Sequence, residues 1–102
     1  MTEIEKIFSH IDAHFEDYIQ DLQAHLRQSS VSLTNEGVLD YAKMLADSIR
    51  HLGAVDVQLV PLTDGFPVVF GKMLSKNPKA KTLILYSLYD LMPYDETFPA
   101  TI

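Results

Sequence analysis

The sequence predicts an α/β fold in which two amino-terminal helices pack on a mixed three-stranded sheet. Three observations indicate this fold. Apolar residues recur at helical spacing in the first half of the chain, the spacing changes to alternation after Gly53, and a continuous apolar run follows at Thr82–Tyr86. With 102 residues, of which 47% are hydrophobic, the chain can form one domain with a modest core.

The first predicted helix runs from about residue 3 to about residue 28. Its apolar residues are three and four positions apart, so they share one face of a helix. They are Ile4, Ile7, Phe8, Ile11, Phe15, Tyr18, Ile19, Leu22 and Leu26. The helix is expected to end near Gln28, because the hydroxyls of the following serines compete for backbone hydrogen bonds.

The second predicted helix begins after a capping residue at Thr34 or Asn35 and ends at Gly53. Either cap could accept a hydrogen bond from the first free N–H groups. Glycine readily adopts the left-handed conformation that often terminates a helix. The apolar face comprises Val38, Tyr41, Ala42, Leu45, Ile49 and Leu52.

Three strands are predicted after Gly53. Residues 55–60 alternate as a half-buried strand does, and a turn follows at Pro61–Gly65. The second strand covers Pro67–Leu74, with proline allowed at its start. The run Thr82–Tyr86 is typical of a strand buried on both faces in the middle of a sheet.

Composition argues against several classes of function. Eight Lys and Arg against 14 Asp and Glu give a net charge of −6, which disfavours nucleic-acid binding. The cluster Lys76, Lys79 and Lys81 is interpreted as solubilising charge beside a strand. Cysteine is absent, so no disulfide or thiolate metal site can form. Without a signal peptide or a long apolar stretch, a soluble cytoplasmic protein with no membrane partner is expected.

The segment Leu85–Pro93, with the sequence Leu-Tyr-Ser-Leu-Tyr-Asp-Leu-Met-Pro, carries the most informative pattern. It resembles the Gly-His-Tyr-Asp-Val-Gln-Pro motif of the zinc aminoacylase/dipeptidase family. Three further segments resemble that family in the same order. Ser30–Ser32 matches its Pro-Ser-Val-Ser, Leu52–Ala54 closes the second helix before a valine-rich strand, and Phe66–Gly71 matches its His-Pro-Val-Val-Tyr-Gly.

The resemblance implies a reaction class. The family includes acetylornithine deacetylase, succinyl-diaminopimelate desuccinylase, carnosinase and glutamate carboxypeptidase, which cleave peptides or N-acyl amino acids. One or two zinc ions activate water in its mixed α/β catalytic domain, and a glutamate acts as general base. By this resemblance, residues 1–102 are the amino-terminal part of a single catalytic domain, without the family's smaller dimerisation domain.

Two residues of the motif decide what this chain can do. Residues two apart in an extended segment point the same way, so the family's aspartate can orient the metal-binding imidazole. Asp90 matches that aspartate and is the candidate catalytic residue. Leu88 stands at the histidine position and has no lone pair for zinc, and Ser87 replaces glycine. Asp90 is therefore equally well interpreted as a carboxylate that braces the turn before Pro93.

This chain alone is expected to bind no zinc and to be inactive, because the family's other ligands follow the motif. His10, His14 and Asp17 share a helix face at a spacing that zinc can use, but no His-Glu-x-x-His pattern is present. A solvated face is the better interpretation. His25 is assigned to the flank of the apolar face, and His51 is explained by the negative end of a helix dipole.

Three hypotheses follow from the sequence. The chain is the amino-terminal part of a metal-dependent amide hydrolase, or a non-catalytic binding or assembly module derived from that fold, or an unrelated small domain with accidental similarity. Peptides or N-acyl amino acids would be substrates only for a longer parent. The run Thr82–Tyr86 is too apolar for an open sheet edge, so self-association of the isolated chain is expected.

Overall fold

A computed structural model describes residues 1–93 and confirms a mixed α/β chain. The helices are α1 (Glu3–Ala13), α2 (Phe15–Arg27) and α3 (Val38–His51), and the strands are β1 (Val55–Leu62) and β2 (Gly65–Lys72). The described residues fall into two compact units, and the chain divides between residues 28 and 29. Residues 94–102, which belong to the predicted catalytic-type domain, lie outside the described part, and that domain assignment stays a prediction.

The first predicted helix is in fact two helices, α1 and α2, separated at His14. Thr2 starts α1 with a capping box. Its hydroxyl accepts from the Glu5 N–H at 3.2 Å, and its own N–H donates to the Glu5 carboxylate at 2.7 Å. At His14, the ring Nδ1 lies 2.8 Å from the His10 carbonyl oxygen. The His14 N–H donates to both the His10 and the Ile11 carbonyl oxygens, each at 3.2 Å, and the regular helix is interrupted at this residue.

The apolar face that predicted α1 and α2 remains largely open to solvent. Within residues 3–27 no side chain is buried. The large apolar side chains of this face, apart from Ile19, are between 41% and 57% exposed. The predicted packing of this face on a sheet stays a prediction.

Glycine rather than a polar side chain begins α3, so the predicted cap at Thr34 or Asn35 is wrong. Gly37 is the N-cap residue, with a φ of 70°. A Cβ atom at this position would overlap the carbonyl oxygen of Ser29, so both the conformation and the space require glycine. At the other end, Gly53 has a φ of 101°, which confirms the predicted left-handed residue after the helix.

The sheet described within residues 1–93 has two antiparallel strands, so the prediction of a mixed three-stranded sheet is wrong. Leu59 pairs with Val69, and Val60 pairs with Val68. The register shifts near Asp56, whose φ is 51°, and its carboxylate lies 3.4 Å from the Lys72 ammonium. The second strand begins before Pro67 and ends before Leu74.

The third predicted strand, Thr82–Tyr86, is not a strand in the structure. A continuous apolar run indicates burial on two faces, but a strand also needs a neighbouring backbone for its hydrogen bonds. Within residues 1–93 no backbone group of residues 81–88 hydrogen bonds to another backbone group. The apolar composition was therefore not sufficient to predict a strand.

The core of the second unit lies where α3 packs on β1 and β2. The buried residues among those described are few and mostly small: Ser30, Val31, Val38, Ala42 and Ala46. Gly71 allows β2 to approach α3 closely, because a Cβ atom there would lie 2.8 Å from the Ile49 Cδ1. No helix in the described chain is long and apolar enough to cross a membrane.

Candidate functional site

The structure brings together two segments that carry the family resemblance, although they are far apart in sequence. The Leu91 N–H donates to the Ser30 carbonyl at 2.7 Å, and the Ser30 hydroxyl donates to the Tyr89 carbonyl at 2.7 Å. Val31 and Leu91 form an isolated parallel bridge. Because Ser30 is completely buried, an unpaired hydroxyl there would be costly, and its hydrogen bond to the Tyr89 carbonyl removes that cost.

Asp90 is held by the same pair of segments. The Ser32 hydroxyl donates to the Asp90 Oδ2 at 2.8 Å, across a separation of 58 residues. The sequence left open that Asp90 braces the turn before Pro93, and the hydrogen bond described here joins it to Ser32 instead. The catalytic role of Asp90 stays a prediction.

Leu88 places an aliphatic side chain at the predicted ligand position, and this side chain is 73% exposed. Beside it, the Ser87 hydroxyl lies 3.3 Å from the Leu88 carbonyl oxygen. Among residues 1–93, no three His, Asp or Glu side chains are close enough to hold a metal ion together. The residues present here do not fit the zinc site that the family resemblance implies.

Tyr89 fixes the segment against the start of β2. Its hydroxyl donates to the Pro67 carbonyl at 2.6 Å, and its ring meets Tyr41 of α3 edge-on with a centroid separation of 6.3 Å. Burial raises the pKa of Tyr89, and the negative charge of Asp90 raises it further. Burial also raises the pKa of Tyr41. Sequence reasoning missed this pair. Tyr89 matches the tyrosine of the family motif but was given no role, and Tyr41 was placed only on the apolar face of the second predicted helix.

An open cleft of about 770 Å³ lies beside these residues in the second unit. Its wall is mostly apolar and includes Val38, Tyr41 and Leu45 of α3, Phe66–Phe70 of β2, and residues 84–90. Ser32, Ser87 and Asp90 supply polar groups. No Lys, Arg or His is among the described residues that line it, so Asp90 is the charged group of the cleft.

The histidines on the first helices do not assemble into a metal site in the described chain. The His10 and His14 rings are tilted against each other with centroids 4.2 Å apart. The Nδ1 of His14 lies 2.8 Å from the His10 carbonyl oxygen. Both residues and Asp17 are exposed, as the interpretation of a solvated face requires. His51 lies in the last turn of α3, where the sequence placed it.

No protein-family model, curated protein or solved structure matches this chain. The family resemblance therefore rests on the sequence motifs alone.

Proposed function

We propose that this chain is the amino-terminal part of a domain of the metal-dependent amide hydrolase type, and that it is itself inactive. The contact between Ser30–Ser32 and Tyr89–Leu91 is the observation that supports this most. Both segments were singled out by the same family resemblance. An accidental similarity of two short motifs gives no reason for them to be hydrogen-bonded neighbours.

Inactivity follows from the chemistry of position 88. A catalytic zinc ion needs about three protein ligands and an open position. Leu88 offers none, and Asp90 accepts a hydrogen bond from Ser32 instead of orienting an imidazole. Purified chain with added zinc is therefore expected to hydrolyse neither dipeptides nor N-acetyl amino acids above the rate of zinc alone.

The ligand position itself can be tested by restoring the missing side chain. The variant Leu88→His is expected to bind zinc weakly, whereas the wild-type chain shows no stoichiometric binding at this motif. Removing the orienting carboxylate in a Leu88→His, Asp90→Asn double variant should weaken binding about 10-fold or more, as loss of such partners does in known metal sites. Isothermal titration calorimetry measures both affinities, and the NMR signals of the introduced imidazole identify the site.

The control for this test is the Leu88→His, Ser32→Ala double variant. It frees Asp90 from its hydroxyl partner and should leave zinc affinity unchanged or higher, because the carboxylate then turns more easily to the imidazole. Equal affinity with and without the Asp90 carboxylate would show that residues 88 and 90 do not share a face, and the match to the family motif would be lost.

A second proposed function is a non-catalytic binding or assembly module derived from the same fold. The specific observation that favours it is the exposed apolar run Thr82–Tyr86, which has no backbone partner within residues 1–93. An assembly role uses this run, whereas the hydrolase role leaves it unexplained in the chain as it stands. Sequencing the transcript beyond codon 102 separates the two proposals. Acidic pairs and a late histidine would favour the hydrolase, and a stop codon would favour the module.

A further inference from the structure

Residues 81–88, called here the unpaired segment, have two features of a strand that lacks its neighbour. In the part of the chain that the structure describes, their backbone N–H and C=O groups make no hydrogen bonds to other backbone groups. The side chains of Leu83, Ile84, Leu85 and Tyr86 are 80% to 88% exposed. Exposed apolar side chains next to unpaired backbone groups favour pairing with another strand.

We propose that the unpaired segment pairs with the same segment of a second copy of the chain, as antiparallel strands related by a two-fold axis. This inference rests on the assembly function proposed above and names its partner. Charge supports the antiparallel direction. Lys81 is the first residue of the segment, Lys79 precedes it, and Asp90 follows its end. Antiparallel pairing brings each lysine end beside the aspartate of the second copy, whereas parallel pairing sets like charges side by side.

Ser30 determines which edge of the segment is free. The Tyr89 carbonyl and the Leu91 N–H both bond to Ser30, so odd-numbered residues direct their backbone groups to that side. Backbone groups of successive strand residues point to opposite edges. When the segment is extended, the free edge is therefore formed by the even-numbered residues Thr82, Ile84, Tyr86 and Leu88.

Symmetry then fixes the register. Two identical strands that pair through the same edge about a two-fold axis place one residue opposite itself. When that residue is Leu85, every residue from 82 to 88 has a partner in the second copy. Leu85 itself then lies in a non-hydrogen-bonded pair. Ile84 then exchanges hydrogen bonds with Tyr86 of the second copy, and Leu83 lies opposite Ser87.

The register can be trapped by a single cysteine, because the natural chain has none. Cα atoms in a non-hydrogen-bonded antiparallel pair are about 4.5 Å apart, within the range that a disulfide spans. Leu85→Cys is expected to form a covalent dimer under mild oxidation. Leu83→Cys is the matched control, since Leu83 is similarly exposed, at 80% against 88%, but would face Ser87. Leu85→Cys should form the intermolecular disulfide on the order of 10-fold faster than Leu83→Cys. Only at position 85 do the sulfurs of the two copies lie close enough to bond.

Light scattering of the wild-type chain is measured alongside, with a dimer of the 11.5 kDa chain as the expected result. A monomer at several hundred micromolar (about 0.5 mM, far above a typical protein–protein Kd) would overturn the proposal. Equal cross-linking of the two cysteine variants would also overturn it, since parallel stacking or random collision gives that result.

A second variant keeps the proposal testable if Leu85→Cys fails to fold. Ile84→Pro removes an N–H from the free edge and should convert the dimer to a monomer that keeps its helical circular dichroism. A dimer that survives Ile84→Pro would show that another surface joins the copies. Zinc binding by Leu88→His has a separate readout, so failure of one proposal does not decide the other.

Discussion

Tyr89 is the residue through which pH should act on the stability of the second unit. Its hydroxyl donates to the Pro67 carbonyl, and its pKa is raised by burial and by the charge of Asp90. The neutral phenol is thus favoured in the folded chain. Its contribution to stability is complete below the unfolded pKa of about 10 and is lost as the pH rises through the higher folded pKa.

We therefore expect the free energy of unfolding to fall as the pH rises above about 10, with a smaller fall in Tyr89→Phe. At neutral pH the same variant should lose about 1 kcal/mol, the usual contribution of one hydrogen bond. Urea unfolding followed by circular dichroism measures both effects. Tyr41→Phe should also reduce the alkaline fall, because burial raises the pKa of Tyr41 as well. An alkaline fall of the same size in wild type and Tyr89→Phe would contradict this assignment.

At the scale of the element, the start of α3 depends on glycine for two separable reasons. Gly37 and Gly53 both have positive φ values, but only Gly37 lacks room for a Cβ atom, which would overlap the Ser29 carbonyl oxygen. Gly53→Ala should cost about 1–2 kcal/mol from the left-handed conformation alone. Gly37→Ala should cost about 3 kcal/mol or more, because steric overlap adds to the same conformational cost.

Urea unfolding of the two glycine variants measures that difference directly. Equal losses of stability would mean that the Ser29 carbonyl moves aside easily, and that α3 is less tightly joined to residue 29 than the structure indicates.

The elements also show how far local sequence patterns reach. Helical spacing located α1, α2 and α3 well, because amphipathicity is a local property that every turn repeats. It missed the break at His14, which arises from a side chain competing for the His10 carbonyl. The continuous apolar run predicted a strand at Thr82–Tyr86. Apolar composition indicates a preference for burial, but it does not indicate whether a neighbouring strand is available for backbone hydrogen bonds.

The candidate site was only partly predictable for the same reason. The motif identified Leu88 and Asp90 and also the segment Ser30–Ser32, but not the hydrogen bond that Asp90 accepts from the Ser32 hydroxyl. The contact between Tyr89 and Pro67 joins residues 22 positions apart, so no spacing rule within one helix or strand could indicate it. Contacts between segments are set by tertiary packing, which a single sequence does not display.

On the scale of the whole molecule, the described chain buries little and exposes much. The fully buried side chains are confined to a few small residues around α3, while long apolar side chains lie open on α1, on α2 and in residues 83–88. A chain of this size is marginally stable even with a well-filled core. Pairing of two copies through the unpaired segment would stabilise the folded state by mass action, since the unfolded chain cannot form that pair.

The melting temperature should consequently rise with protein concentration. For a hundredfold increase we expect a rise on the order of 5 °C, because each folded chain gains about half of RT ln 100 and small domains shift by several degrees per kcal/mol. Melts followed by circular dichroism from about 5 to 500 µM span the dissociation constants common for such pairs. The Ile84→Pro variant should melt at a lower temperature that does not change with concentration, because its free edge lacks a donor. A wild-type melting temperature that stays constant would show that the folded chain gains nothing from a second copy, and the exposed apolar run would then have to be stabilised by something other than self-pairing.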